Sequence, residues 1–326
     1  TQVCTFDSTR KGFIMFKKKT GSLFLALTTI ILAVICCAFL ASCGSSGSKG
    51  LAYSLGNNDT YMVSLGECKD ENIVIPEEYK GKPVTIIDFS NDSLGTVINS
   101  LAIPASVTSI KGLTQITVKS IAVDENNSTY QCSGNCLIIK NDKNLIWAGE
   151  NFTIPDNGSI YRIDQSVFAG RSDLTEVTIP EGIKTIDRKA FANCENLSKV
   201  KIPASVTWIG EGAFANCSNL KSFGIADSND SIKRTIADGA FLDCVQLESF
   251  TIPKSITSVC SNAFSGCEKL TSVVFENPQG WSWKEDIFTW FLYLEKYSPE
   301  EMAEMLRNKT ESDNIYWRIY VDPFAN

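Results

Sequence analysis

The chain is predicted to fold as an α/β repeat solenoid, a right-handed coil of short parallel strands joined by irregular or short helical convex segments. Three observations carry this expectation. One apolar skeleton returns five times, beginning at Ile163, Ile186, Ile209, Ile236 and Val259. Its phenylalanines, Phe168, Phe191, Phe214, Phe241 and Phe264, are spaced 23, 23, 27 and 23 residues apart, and a period of that size means stacked coils rather than a compact domain. The 326-residue length is large for one compact core but ordinary for a repeat array.

Each element of the repeat follows from its slot. Leucine stands six residues after the phenylalanine (Leu174, Leu197, Leu220, Leu247, Leu270), and a large apolar residue stands nine after it (Val177, Val200, Phe223, Phe250, Val273). Another stands at plus eleven: Ile179, Ile202, Ile225, Ile252 and Phe275. Polar residues separate the last two, which is the period of a strand with one buried face. Pro180, Pro203 and Pro253 end that strand, where a missing N–H is tolerated. The four-residue insertion around Ser228–Lys233 is expected to bulge outward without breaking the stack.

The segment Ile202-Pro-Ala-Ser-Val-Thr-Trp-Ile-Gly-Glu-Gly-Ala-Phe-Ala-Asn-Cys-Ser-Asn-Leu220 resembles the BspA-like leucine-rich repeat family. Upstream, Ile73–Val84 resembles the N-terminal unit of that family, and Val123–Asn127 with Tyr130 and Cys136–Ile139 its longer hairpin-bearing unit. Phe89 and Leu113 fill their slots only loosely. The resemblance covers residues 70–276 and implies a leucine-rich-repeat array on a bacterial surface protein, with adhesion to host extracellular matrix proposed for some members.

The N-terminus reads as a targeting segment. Met15 and Lys17–Lys19 precede an apolar run from Leu23 to Leu40, followed by Ala41-Ser42-Cys43, the layout of a secretory signal. Its ending resembles a bacterial lipobox, which implies lipid attachment at Cys43. The alternative is an uncleaved membrane-spanning anchor, since the run is near spanning length. The expected organisation is then residues 1–14 as an upstream extension, 15–42 as signal and 43–50 as a Gly/Ser linker. The solenoid with its N-terminal cap follows over 51–276, and an aromatic and helical cap over 277–326. In that last segment Ser298-Pro-Glu-Glu301 carries the chemistry of a helix start.

Composition narrows the chemistry. There is no histidine, which excludes a Ser-His-Asp triad, a Cys-His dyad and any His-ligated metal. No catalytic residue, cofactor or metal site is assigned. The net charge is −7; five of the 30 basic residues and one of the 37 acidic ones precede Cys43, which leaves about −11 from Cys43 onward. So acidic a surface opposes nucleic-acid binding and adsorption to anionic lipid.

Of twelve cysteines, Cys194, Cys217, Cys244 and Cys267 share the plus-three slot, held by Arg171 in the first copy. Parallel side chains in stacked coils make poor disulfides, so a ladder of buried thiols is expected. Cys132 and Cys136 flank Ser-Gly-Asn, a turn sequence that would let them face each other across a hairpin, with a disulfide as one outcome. Asp227, Asp230 and Asp238 faintly resemble a calcium loop but lack its glycine and closing glutamate, and read better as a solvated insertion.

The candidate binding residues are the outward ones of the strands: Glu176, Thr178, Lys199, Lys201, Ser222, Ser249 and Thr251, passing from charged to small and hydroxylic. An inert solvated face would look the same. Trp208, in a slot held by Arg162 and Ser258 elsewhere, is expected to face solvent as a scattered aromatic or as an anchor. The reading is a cell-surface, adhesin-like binding protein for protein partners, attached to the membrane through its lipid anchor. The alternative is a structural or self-associating envelope protein, and a carboxylate-based hydrolase is the weakest third, since no motif places two acids.

Overall fold

The structure is a computed structural model. It describes residues 47–277 apart from 229, 231 and 261, the strand backbones at 281–285, 288–291 and 315–319, and residues 298–307. The strands are β1 (Ala52–Leu55), β2 (Tyr61–Ser64), β3 (Asn72–Val74), β4 (Glu78–Tyr79), β5 (Lys82–Asp88), β6 (Val97–Ile103), β7 (Ser109–Lys111) and β8 (Thr117–Val123). A hairpin unit follows, of β9 (Tyr130–Ser133), β10 (Cys136–Ile139) and β11 (Asn144–Ala148). The repeat region holds β12 (Arg162–Ile163), β13 (Glu176–Thr178), β14 (Thr185–Ile186), β15 (Lys199–Ile202), β16 (Trp208–Ile209) and β17 (Ser222–Ile225). It continues through β18 (Arg234–Ile236), β19 (Ser249–Ile252), β20 (Ile256–Val259) and β21 (Ser272–Phe275). The C-terminal part has β22 (Trp281–Glu285), β23 (Phe288–Phe291), helix α1 (Pro299–Arg307) and β24 (Ile315–Ile319).

These elements form a β-solenoid of about nine turns with little helix. Each coil of the repeat region supplies two strands, not one. The period-two strands pair in parallel as β13-β15-β17 and as β19-β21. The opposite flank is a second parallel ladder, β12-β14-β16-β18-β20, built on Ile163, Ile186, Ile209, Ile236 and Val259. Between the flanks lie turns whose amides also reach the next coil, as Phe191 N does to Ala213 O at 2.7 Å and Phe214 N to Ala240 O at 2.8 Å.

The interior is a set of ladders. The five phenylalanines are fully buried and stack ring on ring at 4.8, 5.1, 5.4 and 5.3 Å, each pair within 9° of parallel. The plus-three cysteines are buried too, and each thiol donates to the carbonyl of a phenylalanine one coil back. Cys194 reaches Phe168 O at 3.0 Å, and Cys217, Cys244 and Cys267 reach Phe191 O, Phe214 O and Phe241 O at 3.2 Å. A small apolar side chain with a weak donor therefore suits the slot. In the first copy Arg171 performs the same task, donating to Ala148 O at 3.0 Å and Gly149 O at 3.1 Å.

The hairpin unit divides the interior in two. Cys136 and Ile138 face the repeat core, while Leu137 between them faces a separate N-terminal core that contains Phe89. Period-two alternation makes β10 a wall with a buried side on each face. Phe89 is fully buried and Leu113 packs against that N-terminal core.

The far end is covered by α1 and β24. Ser298 Oγ accepts Glu301 N at 3.2 Å and Glu301 Oε2 accepts Ser298 N at 2.7 Å, a reciprocal cap. Met302, Ala303 and Leu306 are buried against the last coil, and Arg307 donates to Leu270 O at 3.1 Å. β24 pairs antiparallel with β20, where the parallel ladder ends.

Two expectations are corrected here. The insertion does interrupt the stack on one flank: β17 and β19 belong to separate sheets. Nor is the insertion merely solvated. Arg234, 1% exposed, donates to Asp230 through both terminal nitrogens at 2.8 and 2.9 Å and to Ala204 O of the preceding coil at 2.9 Å, fastening the loop down.

Candidate functional site

The outward strand residues align by register. Glu176, Lys199 and Ser222 lie side by side, as do Thr178, Lys201 and Gly224. Beyond the sheet break, Ser249 pairs with Ser272 and Thr251 with Val274. All seven predicted residues are exposed or half-exposed, while Val177, Val200, Phe223 and Phe250 between them are buried. Lys199 Nζ lies 3.8 Å from Glu176 Oε2, and Lys201 takes no ion pair among the described residues. The structure thus assembles Glu176, Thr178, Lys199, Lys201 and Ser222 on one continuous sheet and sets Ser249 and Thr251 on another.

Trp208 is 43% exposed, but it belongs to the opposite flank, between Thr185 and Thr235. It therefore does not join the strand-face residues. The Ser258 comparison needs correcting. Ser258 is 8% exposed, and its strand is paired by β24 at that residue.

The cysteine hairpin also departs from expectation. Gly134 and Asn135 both have positive φ, 58° and 56°, and form a two-residue turn. Cys136 then pairs with Ser133 and Cys132 with Leu137. One register step puts the two thiols on opposite faces of the hairpin, so they do not face each other. Cys132 Sγ donates to Ile121 O at 3.1 Å, and burial pushes the Cys136 thiol up to about 12.

In the insertion, the Asp230 carboxylate is held well below its usual pKa, first by the hydrogen bonds from Arg234. Asp227 is engaged by Lys254 Nζ at 3.3 Å and Ser255 N at 3.2 Å. Among the described residues no group of acids or cysteines is arranged to hold a metal ion. Cys43 and the apolar run before it lie outside the described residues; among those described, no helix is long and apolar enough to cross a membrane.

The sequence matches the family model for the BspA type leucine rich repeat region, in six copies, over residues 147–271 and 234–298. The chain carries a BspA-type leucine-rich repeat region. Such solenoids are generally non-catalytic. No curated protein matches the chain. Among solved structures it is similar to the pneumococcal vaccine antigen PcpA at 20% identity, covering 61% of this chain and 50% of that one, with a TM-score of 0.48. The chain thus spans half of PcpA. It is also similar to the leucine rich repeat protein of T. pallidum, at 21% identity, 63% and 91% coverage and a TM-score of 0.40. A leucine rich cell surface protein of Faecalibacterium prausnitzii matches at 19% identity, 73% and 96% coverage and a TM-score of 0.25.

Proposed function

We propose that the protein is an adhesin-like binding protein of the bacterial cell surface, held to the membrane by lipid on Cys43, whose strand face contacts protein partners such as host extracellular matrix. One observation carries the reading. The repeat places its apolar side chains on the internal ladders, while Glu176 and Lys199 stand in register on the outward face, with Lys201 two residues further along the same strand beside Thr178. Side chains held in register on a sheet form a surface whose chemistry varies without disturbing the core. Lys199 and Lys201 are a local basic pair on an acidic protein, suited to an acidic patch on a partner. The test is a pull-down of the protein against immobilised matrix proteins and against extract of its own envelope. Capture of matrix proteins supports the reading; capture of envelope components alone supports a structural role instead.

A further inference from the structure

The strand face opens between β17 and β19, and the opening has a local cause. The coil between Phe214 and Phe241 is four residues longer than its neighbours. On the opposite flank the extra length is absorbed, since β18 pairs with both β16 and β20 with one register shift beside Arg234. The interior stays closed as well, with the Phe223 and Phe250 rings 5.3 Å apart. Only the outer strands part, leaving a cleft of about 440 Å³ above Phe223, Ile225, Phe250 and Pro253. Ile225 records the opening. It is half-buried, whereas Ile179, Ile202 and Ile252 in the same slot are at most 2% exposed.

The walls of the cleft are backbone edges. Ser222 N and Ala226 N bond Ser198 O at 3.1 Å and Ile202 O at 2.9 Å on the β15 side. Alternation along a strand then turns the peptide groups of Phe223 and Ile225 toward β19. Glu248 O, just before β19, and Ile252 O at its end accept Thr271 N and Glu276 N, at 2.9 and 3.0 Å, on the β21 side. The groups of Ser249 and Thr251 therefore turn toward β17. The ends of the cleft differ in charge. Lys221 stands where the strands begin, and Asp227 and Glu276 where they end. Asp227 pairs with Lys254, while Lys221 and Glu276 take no ion pair among the described residues.

We infer that this cleft binds an extended peptide segment lying parallel to β17 and β19, acidic toward its N-terminus and basic toward its C-terminus. An extended peptide presents donors and acceptors every two residues, about 6.6 Å, the repeat of the two open edges. The closed interior keeps it in the mouth of the cleft, with an apolar side chain over Ile225. The inference rests on the proposed binding role of the strand face and narrows it to one place and one ligand chemistry.

The test uses the full-length chain and two capped peptides of one composition, Ac-Glu-Thr-Val-Thr-Val-Thr-Lys-NH2 and its charge-reversed form Ac-Lys-Thr-Val-Thr-Val-Thr-Glu-NH2. Amide hydrogen exchange is followed with each. Without peptide, the amides of Phe223, Ile225, Ser249 and Thr251 should exchange faster than those of Phe250 and Ile252. With the Glu-first peptide they should slow, and the Lys-first peptide should bind about tenfold more weakly, as expected when two exposed attractive charge pairs become repulsive. In the double variant Lys221→Glu with Glu276→Lys, both at the surface, that preference should invert, which a merely structural role would not produce. Slow exchange of the four amides in the free chain would overturn the inference, as would equal binding of the two peptides or binding of neither. Protection confined to β13 and β15 would overturn it while leaving the wider strand-face reading intact.

Discussion

Replacing Phe214 by alanine removes the middle of the phenylalanine ladder. Its ring is fully buried, stacks on Phe191 at 5.1 Å and on Phe241 at 5.4 Å, and meets the edge of Phe223 at 5.8 Å. Truncating a buried phenylalanine costs about 3–5 kcal/mol through lost transfer energy and the cavity left behind. Neighbouring coils cannot collapse into that cavity, because their turns are tied by the Phe191 N to Ala213 O and Phe214 N to Ala240 O bonds. The loss should fall in the upper part of the range, about 4–5 kcal/mol, with each stacked pair adding to the burial term. Trp208→Ala, at a side chain 43% exposed on a two-residue strand, should cost under about 1 kcal/mol. Urea unfolding followed by circular dichroism, with the slope held common, gives both values. Equal destabilisation by the two substitutions, or a Phe214→Ala loss near 1 kcal/mol, would refute the ladder as the source of stability.

Three further outcomes follow from the same geometry. Burial raises the Cys194 thiol to about 11 and the Cys136, Cys217 and Cys267 thiols to about 12, and pushes Cys244 well above its ordinary value. At pH 8 these five should resist maleimide in the native protein and react after unfolding; rapid native labelling of Cys217 would contradict the buried ladder. Asp230 is depressed in the folded state, so its bond to Arg234 contributes stability that is present above the ordinary carboxylate pKa and is lost as pH falls through the folded value. Asp230→Asn should therefore lower stability at pH 7 and flatten its acid dependence, measured as urea midpoints from pH 7 down to pH 2, since the loss sets in only below the ordinary value of 3.8; an unchanged profile would remove Arg234–Asp230 as the fastener of the insertion. Cys43→Ala should abolish incorporation of a fatty-acid analogue in metabolic labelling, and unchanged label would sink the lipid-anchor reading.

The parts of this fold that were legible in the sequence are those repeated often enough to show a period. Phe191, Cys194, Leu197 and Val200 occupy slots filled alike in other copies, so their stacking could be read directly. The row of Ile163, Ile186, Ile209, Ile236 and Val259 was legible as the start of each coil, but its strand character was hidden, because strands such as Trp208–Ile209 are two residues long, too short to display alternation. The sheet break and the Arg234–Asp230 fastener lie in the one coil of unusual length, where no other copy exists for comparison. The hairpin register turned on whether Ser133 belonged to the turn or the strand. Positive φ at Gly134 and Asn135 settles a two-residue turn, and that single step separates Cys132 from Cys136. The strand-face residues were placed outward correctly, but the sequence did not show that β17 and β19 part between Ser222 and Ser249.

The central claim, that the exposed strand face makes a charged contact with a protein partner, is tested most directly by reversing its basic pair. Lys199→Glu with Lys201→Glu changes two outward side chains, which at surface positions moves stability by only about 0.5 kcal/mol. Binding of wild type and double variant to immobilised host matrix proteins and to isolated envelope is measured at low and high salt. The account predicts weaker binding by the variant and a wild-type affinity that falls with salt more steeply than the variant's. Equal binding of the two proteins at every salt concentration would contradict it.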